Sequence, residues 1–286
     1  MGGGMAGNAA VAIAHLGGNP HFWGPAGDDE IAGRMQADFT RHGVDATQMR
    51  RFAGRSSSHS AILVDARGER LIVNVRGDAL QEDASWLPLD EITRAGALLA
   101  DVRWPEGARV ALGEARRAGV PAVLDGDTAE REVLRDLAGR AGYCVFSEPG
   151  FAAFMSTDGA SAAGVRNAMT DSATRVGLAE ALALGARVAV VTRGEHGCAW
   201  LSAETPNKLR FMPAFKTTPI DTTGAGDTFH GAITLLLAEA HSNHAPRPFE
   251  EVLRFAGAAA AIKVQRAGVR SMPSREEVEL FLAKHT

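Results

Sequence analysis

Ala122-Val123-Leu124, a helical stretch over 129–140, and then Tyr143-Cys144-Val145-Phe146 decide the fold. Both apolar runs are short, lack strict alternation and are separated by one helix, the grammar of parallel strands covered on both faces. Working outward, Ala97–Ala100 and Val188–Val191 read the same way, with helical stretches at Glu106–Ala118, Ala129–Arg140 and Thr174–Leu184 between them. Cys198–Leu201 and Leu209–Met212 read as antiparallel additions, and helices over Pro248–Gln265 and Ser274–Ala283 close the chain. Towards the N-terminus, a small-residue helix is expected from Ala9 to Leu16 and a short strand at His21–Trp23. Asp28 is expected to cap a helix whose Ile31, Met35 and Phe39 recur four apart. Ala61-Ile62-Leu63-Val64 and Leu71-Ile72-Val73 flank Asp65-Ala66-Arg67-Gly68-Glu69, which predicts a hairpin. A hairpin inside a βα alternation predicts an insertion over 56–76, standing apart from a main domain built from 1–55 and 77–286.

The 286 residues, 45% hydrophobic and 22% charged, suit a soluble α/β protein with ample core. A net charge of -4 argues against a nucleic-acid partner. Cys144 and Cys198 both lie in apolar strand-like runs, so no disulfide scaffold is expected and a reducing cytoplasm fits. No apolar stretch reaches the roughly 20 residues that span a bilayer, and the start lacks the pattern of a signal peptide.

Chemistry concentrates in Asp221-Thr222-Thr223-Gly224-Ala225-Gly226-Asp227-Thr228-Phe229-His230-Gly231-Ala232. Phe229, Ala232, Ile233, Leu236 and Leu237 recur at helical spacing, which starts a helix near Ala225 or Gly226. The first amides of such a helix lack intrahelical partners and sit at the positive end of its dipole, a mouth suited to phosphate. A carboxylate there gains nothing for a plain phosphate cradle. It serves phosphoryl transfer, where an acceptor hydroxyl must lose a proton beside the incoming phosphate.

The whole string resembles the second signature of the ribokinase-like, PfkB-type carbohydrate kinases. The resemblance implies a three-layer α/β/α fold with a mostly parallel central sheet and a small β-sheet lid. It makes Asp227 the catalytic base, with Gly224, Ala225 and Gly226 forming an anion hole. Gly2-Gly3-Gly4-Met5-Ala6-Gly7-Asn8 resembles the first signature, followed by Leu16-Gly17 and Gly24-x-x-Gly27-Asp28-Asp29. Gly3, Gly4 and Asn8 are thereby sugar-binding candidates, glycine backbone and an Asn amide both suiting hydroxyls.

Thr192-Arg193-Gly194-Glu195-His196-Gly197 resembles the family's nucleotide-side turn, making Thr192, Gly194 and Gly197 nucleotide candidates; a plain β-turn would carry the same residues. Ser147-Glu148-Pro149-Gly150 stands where many relatives carry Asn-x-x-Glu, whose acid helps organise Mg2+. The matched fourth position is Gly150, so Ser147 is kept as a nucleotide candidate and Glu148 as the substitute metal ligand. Asp221 and Arg266-Ala267-Gly268 lie where several relatives hold a monovalent cation such as K+ through backbone carbonyls. ATP and Mg2+ are the implied cofactors. No Walker lysine motif is present, and the histidines lack metal-ligand spacing. His230 reads as a packed or hydrogen-bonded helix residue.

A narrower resemblance, to the sulfofructose kinase branch and related ketohexose kinases, rests on several runs. They are Ser57–Ile62, Gly68-Glu69-Arg70, Ala100–Trp104, Val123–Asp127, Phe146–Gly150 and Phe229–Ala232. It implies transfer to a primary hydroxyl of a ketohexose derivative such as sulfofructose. Arg103, after a strand end, could grip an anionic group on the sugar or serve as a structural arginine; Asp101 and Asp125, also at strand ends, are candidates to meet hydroxyls or metal. The family's usual segment before the first signature, with a first strand and a sugar-binding aspartate, is not seen. That departure and the lost Asn-x-x-Glu keep a second expectation open, a non-catalytic sugar- or nucleotide-binding relative. A Rossmann dehydrogenase is excluded by the glycine spacing. Exposed lid strands commonly find partners, so a homodimer through the lid is expected.

Overall fold

The computed structural model describes residues 4–64, 70–81, 83–156 and 170–285, the backbone alone at 62–64, 70–72 and 81. Its main sheet has six strands in the order β10-β9-β8-β7-β6-β5. Strands β5 (Leu98–Asp101), β6 (Ala122–Gly126), β7 (Tyr143–Phe146) and β8 (Val188–Thr192) run parallel. Strands β9 (Cys198–Ser202) and β10 (Arg210–Met212) are antiparallel additions, as expected.

Period-two geometry divides the central strands between two helical layers. On one face Leu124, Cys144, Phe146, Ala189 and Val191 pack with Leu112, Leu134, Leu137, Phe151 and Leu178. Those residues come from α4 (Pro105–Ala118), α5 (Arg131–Ala138), α6 (Glu148–Met155) and α7 (Asp171–Leu184). On the other face Val123, Val145, Val190 and Trp200 meet Ile233, Leu236, Leu253, Ala256 and Val278. Their helices are α8 (Ala225–Ser242), α9 (Phe249–Lys263) and α10 (Arg275–Ala283). The architecture is therefore α/β/α, and the short helix α3 (Leu89–Ile92) leads into β5.

The N-terminal region differs from the sequence reading in three places. The first helix, α1, spans Met5–His15 and begins four residues earlier than Ala9, because Gly4 at φ 85° makes the turn and Asn8 N–H already donates to the Gly4 carbonyl at 2.9 Å. His21 makes only an isolated bridge to Asp45; the strand, β1, is Gly24–Gly27 and pairs in parallel with β2, Met49–Phe52. Asp29, not Asp28, caps α2 (Glu30–Arg41), accepting from Ala32 N–H at 2.9 Å. Ala10, Val11, Ala26, Ala32, Phe39 and Met49 close a separate small core under these elements.

Strands β3 (His59–Val64) and β4 (Arg70–Val75) form an antiparallel two-stranded sheet of their own. The connecting Asp65–Glu69 turn lies outside the described residues. The arms entering this hairpin are tied down: Ser57 N–H and Oγ donate to Asp29 at 2.7 and 2.8 Å, and Ser56 N–H and Oγ donate to Asp78 at 2.7 and 2.8 Å. Among the described residues β5 ends the main sheet.

Candidate active site

Parallel strands deliver their C-terminal ends to one edge of the sheet, where ligands of α/β proteins bind. Asp101, Asp125, Asp127, Ser147 and Thr192 all lie at or just beyond those ends. Helix α8 points its N-terminus at the same edge. Gly224, at φ 80°, supplies the left-handed turn that admits the chain into the helix. Its carbonyl accepts from Thr228 N–H at 2.9 Å, the first intrahelical bond, and Thr222 accepts from Ala225 N–H at 3.3 Å. The Gly226 and Asp227 N–H groups in the first turn then have no intrahelical acceptor. The expected anion hole is thereby redistributed. Gly224 shapes it, the Ala225 amide is partly spent on the turn, and Gly226 with Asp227 itself offers donors at the positive end of the dipole.

Helix α1 crosses α8 closely. A Cβ on Gly231 would lie 2.7 Å from the Ala9 carbonyl oxygen, so only glycine permits the approach. The crossing brings Asn8 Nδ2 to 2.6 Å from Asp227 Oδ2. Burial pushes the Asp227 carboxyl up to about 7; the Asn8 bond and His230 oppose the rise, while Asp125 and Asp101 add to it. Asp125 is buried and lies well above the carboxylate range, through burial first and then Asp101 and Asp127. His230 staples the first turn of α8 to the sheet. Its Nδ1 is 2.7 Å from the Gly226 carbonyl, and its Nε2 is 3.1 Å from the Val145 carbonyl and 3.4 Å from Asp125 Oδ1.

Asn8, expected to meet sugar hydroxyls, lines the cleft but has its polar atoms largely engaged. Its Oδ1 accepts from Arg270 Nη1 at 2.9 Å, because the early start of α1 turns it towards α8. Asp101 is likewise committed: it accepts from Ala6 N–H at 3.0 Å, anchoring the first turn of α1, and from Arg103 N–H at 2.8 Å. Arg103 is half exposed and pairs with Asp127 at 2.8 Å and the Thr128 carbonyl at 3.2 Å. Gly4 caps α1, and Gly3 lies outside the described residues.

On the expected nucleotide side, Ser147 caps α6, accepting from Gly150 N–H at 3.0 Å and donating to Asp127 at 2.7 Å. Thr192 Oγ1 donates to the Phe146 carbonyl at 3.2 Å, and Gly194 opens a 3-10 turn after β8 that Gly197 caps. A Cβ at Gly150 would lie 1.9 Å from the Gly126 carbonyl, so no acidic side chain fits the position the family pattern gives to glutamate. Glu148 sits half-buried on the first turn of α6. Among the described residues no cluster of three or more His, Cys, Asp or Glu could hold a metal by itself. Mg2+ carried by nucleotide phosphates needs only one or two protein carboxylates, so the donors present suffice for that mode. Asp221 accepts from Thr223 N–H and Gly268 N–H, each at 2.9 Å, which brings the two expected cation-binding loops together.

A cleft of about 1900 Å³ runs from Asn8 and Asp227 past Asp101 and Arg103 to Ser57–Ser60 and Asn74–Arg76 of the hairpin. It continues along the outer edge of β5, past Ile13, Leu98, Leu99 and Leu235, which explains a volume above the roughly 300–1,000 Å³ of a small-molecule pocket. Arg270 and its partner Asp38 escaped the sequence reading. The one available signal was Asp38 itself, a charge in register with the apolar face of Ile31, Met35 and Phe39.

Residues 2–276 match the family model described as pfkB family carbohydrate kinase. The chain is 30% identical to the ribokinase of Haemophilus influenzae over 98% of its own length and 87% of the relative's. It is 29% identical to fructokinase-1 of Oryza sativa subsp. japonica, covering 96% and 86%. The structure of Arabidopsis thaliana ribokinase complexed with ribose and ATP matches with a TM-score of 0.81 at 25% identity, covering 98% of this chain and 87% of that one. Signature helix, sheet edge and sequence likeness converge: the chain belongs to the pfkB family of carbohydrate kinases.

Proposed function

We propose that this carbohydrate kinase transfers the γ-phosphoryl group of ATP to a primary hydroxyl of a small sugar, a ketohexose derivative such as sulfofructose being the narrower reading. The observation that carries it is Asp227, a carboxylate raised to about 7 beside open amides at the N-terminus of α8. In this reading ionised Asp227 takes the acceptor hydroxyl's proton as the new O–P bond forms. The bond from the γ-phosphorus to the β–γ bridging oxygen breaks, and ADP departs with that electron pair. The Gly226 and Asp227 amides face the charge on the transferred group, and His230 holds their turn in place. Mg2+, met by Glu148, would neutralise phosphate charge when bound. Thr192, Gly194 and Gly197 are assigned to the nucleotide side, and the Asp221–Gly268 loop pair to a K+ site lined by carbonyls.

The sugar end is assigned to Gly4, Asn8, Asp101 and Arg103, with the hairpin of residues 56–76 acting as a lid that excludes water. Arg103 keeps Asp127 as a partner, and a sulfonate or phosphate on the sugar would share its guanidinium. Val73 and Val75 on β4 are 47% and 49% exposed, which supports a homodimer through this sheet. No helix among the described residues is long and apolar enough to cross a membrane, and the cytoplasm is the proposed compartment.

A coupled ADP-release screen over ribose, fructose, nucleosides, phosphosugars and sulfofructose tests the reading. Turnover with a ketohexose derivative supports it, whereas sugar binding by calorimetry with no turnover on any acceptor would favour a non-catalytic relative.

A further inference from the structure

One largely buried cation near the site belongs to no motif. Arg270 lies in the loop before α10, its side chain 10% exposed, with Nε 3.0 Å from Asp38 Oδ2 on α2. Its guanidinium stands over the Phe39 ring, 5.8 Å from the centroid. Nη1 donates to Asn8 Oδ1 at 2.9 Å, and Asn8 Nδ2 donates to Asp227 Oδ2 at 2.6 Å.

The donor inventory fixes the direction of this chain. A guanidinium only donates, so the Asn8 atom facing it must be oxygen; an ionised carboxylate only accepts, so the atom facing Asp227 must be the NH2. The two assignments agree, which removes the usual amide ambiguity. We infer that Arg270 is a positioning residue for phosphoryl transfer: braced by Asp38, it locks the Asn8 amide with its N–H towards the Asp227 carboxylate, and so holds the base ionised and aimed.

Without the lock the amide can rotate and present its oxygen to Asp227, turning a stabilising donor into a repelling acceptor. Other groups face the base too: Asp125 from β6, Asp101 from β5 and His230 from its own helix. Arg270 in turn is near His42 as well as Asp38. A test must therefore separate the Asn8 route from through-space charge. The inference rests on Asp227 being the base, so the readout is the ionisation of Asp227 and not turnover.

The experiment is a 13C-carboxyl NMR titration of Asp227 in the ligand-free protein for wild type, Arg270→Gln, Arg270→Lys, Asn8→Ala and the two double variants. Arg270→Gln should raise the Asp227 midpoint by about one pH unit, the tenfold change expected for losing one hydrogen bond to a charged group. Arg270→Lys keeps a group that only donates, so it should hold the midpoint nearer the wild-type value. In the Asn8→Ala background neither should move it further. Asp38→Asn, which removes the brace, carries the test if Arg270→Gln does not fold. An unchanged midpoint in Arg270→Gln, or equal shifts in both backgrounds, would overturn the inference. A titration cycle as expected, with no sugar phosphorylated in the ADP-release screen, would leave the lock standing and remove the catalytic reading.

Discussion

Deleting the Asn8 amide tests the electrostatics of the proposed base, Asp227, most directly. With its carboxyl at about 7, Asp227 is about half ionised at pH 7. Its activity as a base falls as pH drops through that value, because protonation removes the acceptor. The 2.6 Å bond from Asn8 favours the ionised form. Hydrogen bonds to charged groups contribute about 1.5–3 kcal/mol, or about 1–2 pH units at 1.36 kcal/mol each. Asn8→Ala should therefore move the acid limb of kcat/KM from about 7 to about 8–9, leaving between about a tenth and a hundredth of Asp227 ionised at pH 7. Rates at pH 7 drop about 5- to 50-fold and recover as pH approaches 9. The assay is initial-rate kinetics from pH 5.5 to 9.5 (roughly two units either side of the wild-type limb), with the acceptor found by the screen. An Asn8→Ala enzyme slowed equally at every pH, with its limb unmoved, would refute the reasoning and return Asn8 to simple sugar contact.

Asp227→Asn should cut kcat by about 10²–10⁴ while leaving nucleotide binding by calorimetry intact. The same variant should be more stable than wild type. A carboxyl raised from 3.8 to about 7 on folding costs nothing below the lower value, and the cost grows to as much as ~4 kcal/mol above the upper one. Thermal melts at pH 4 and pH 8 should then show most of the gain at the higher pH. Gly231→Ala forces a Cβ to 2.7 Å from the Ala9 carbonyl; it should cost about 1–3 kcal/mol in denaturant titration and lower kcat by displacing Asn8. Burial pushes the Cys144 and Cys198 thiols up to about 12, so a thiol reagent at pH 8 should label neither until the protein is unfolded.

The sheet was legible because Leu124, Cys144 and Val191 must be apolar on one face and Val123, Val145 and Val190 on the other. A helix-covered strand has no choice in this. The N-terminal elements were less so. Gly24–Gly27 pairs with Met49–Phe52 through backbone bonds that glycine, proline and arginine do not advertise, and the aromatic run His21-Phe22-Trp23 carries the stronger strand signal three residues earlier. At the site, Asp227 and its glycines stand out in the sequence because a carboxylate at a helix mouth needs a chemical reason. Asn8 and Asp101 were expected to meet the sugar, and their partners Arg270, Asp227 and Ala6 were not foreseen. Contacts such as Arg270–Asn8, 262 residues apart in sequence, leave no local pattern.

Helix α2 has a mechanical consequence of its own. Its cap, Asp29, grips the hairpin arm at Ser57, and nine residues on, about 14 Å along the axis, Asp38 grips Arg270. One short rod thus spans the distance from the hinge of the proposed lid to the brace behind the proposed base, so closure and alignment share a single stiffness. Gly33 sits in the middle of that rod with nothing within 4 Å of a would-be Cβ. Gly33→Ala would stiffen the rod by roughly 1 kcal/mol of helix propensity without touching either end. The timing of the proposed closure would then be adjustable from a residue outside the proposed sugar and nucleotide sites.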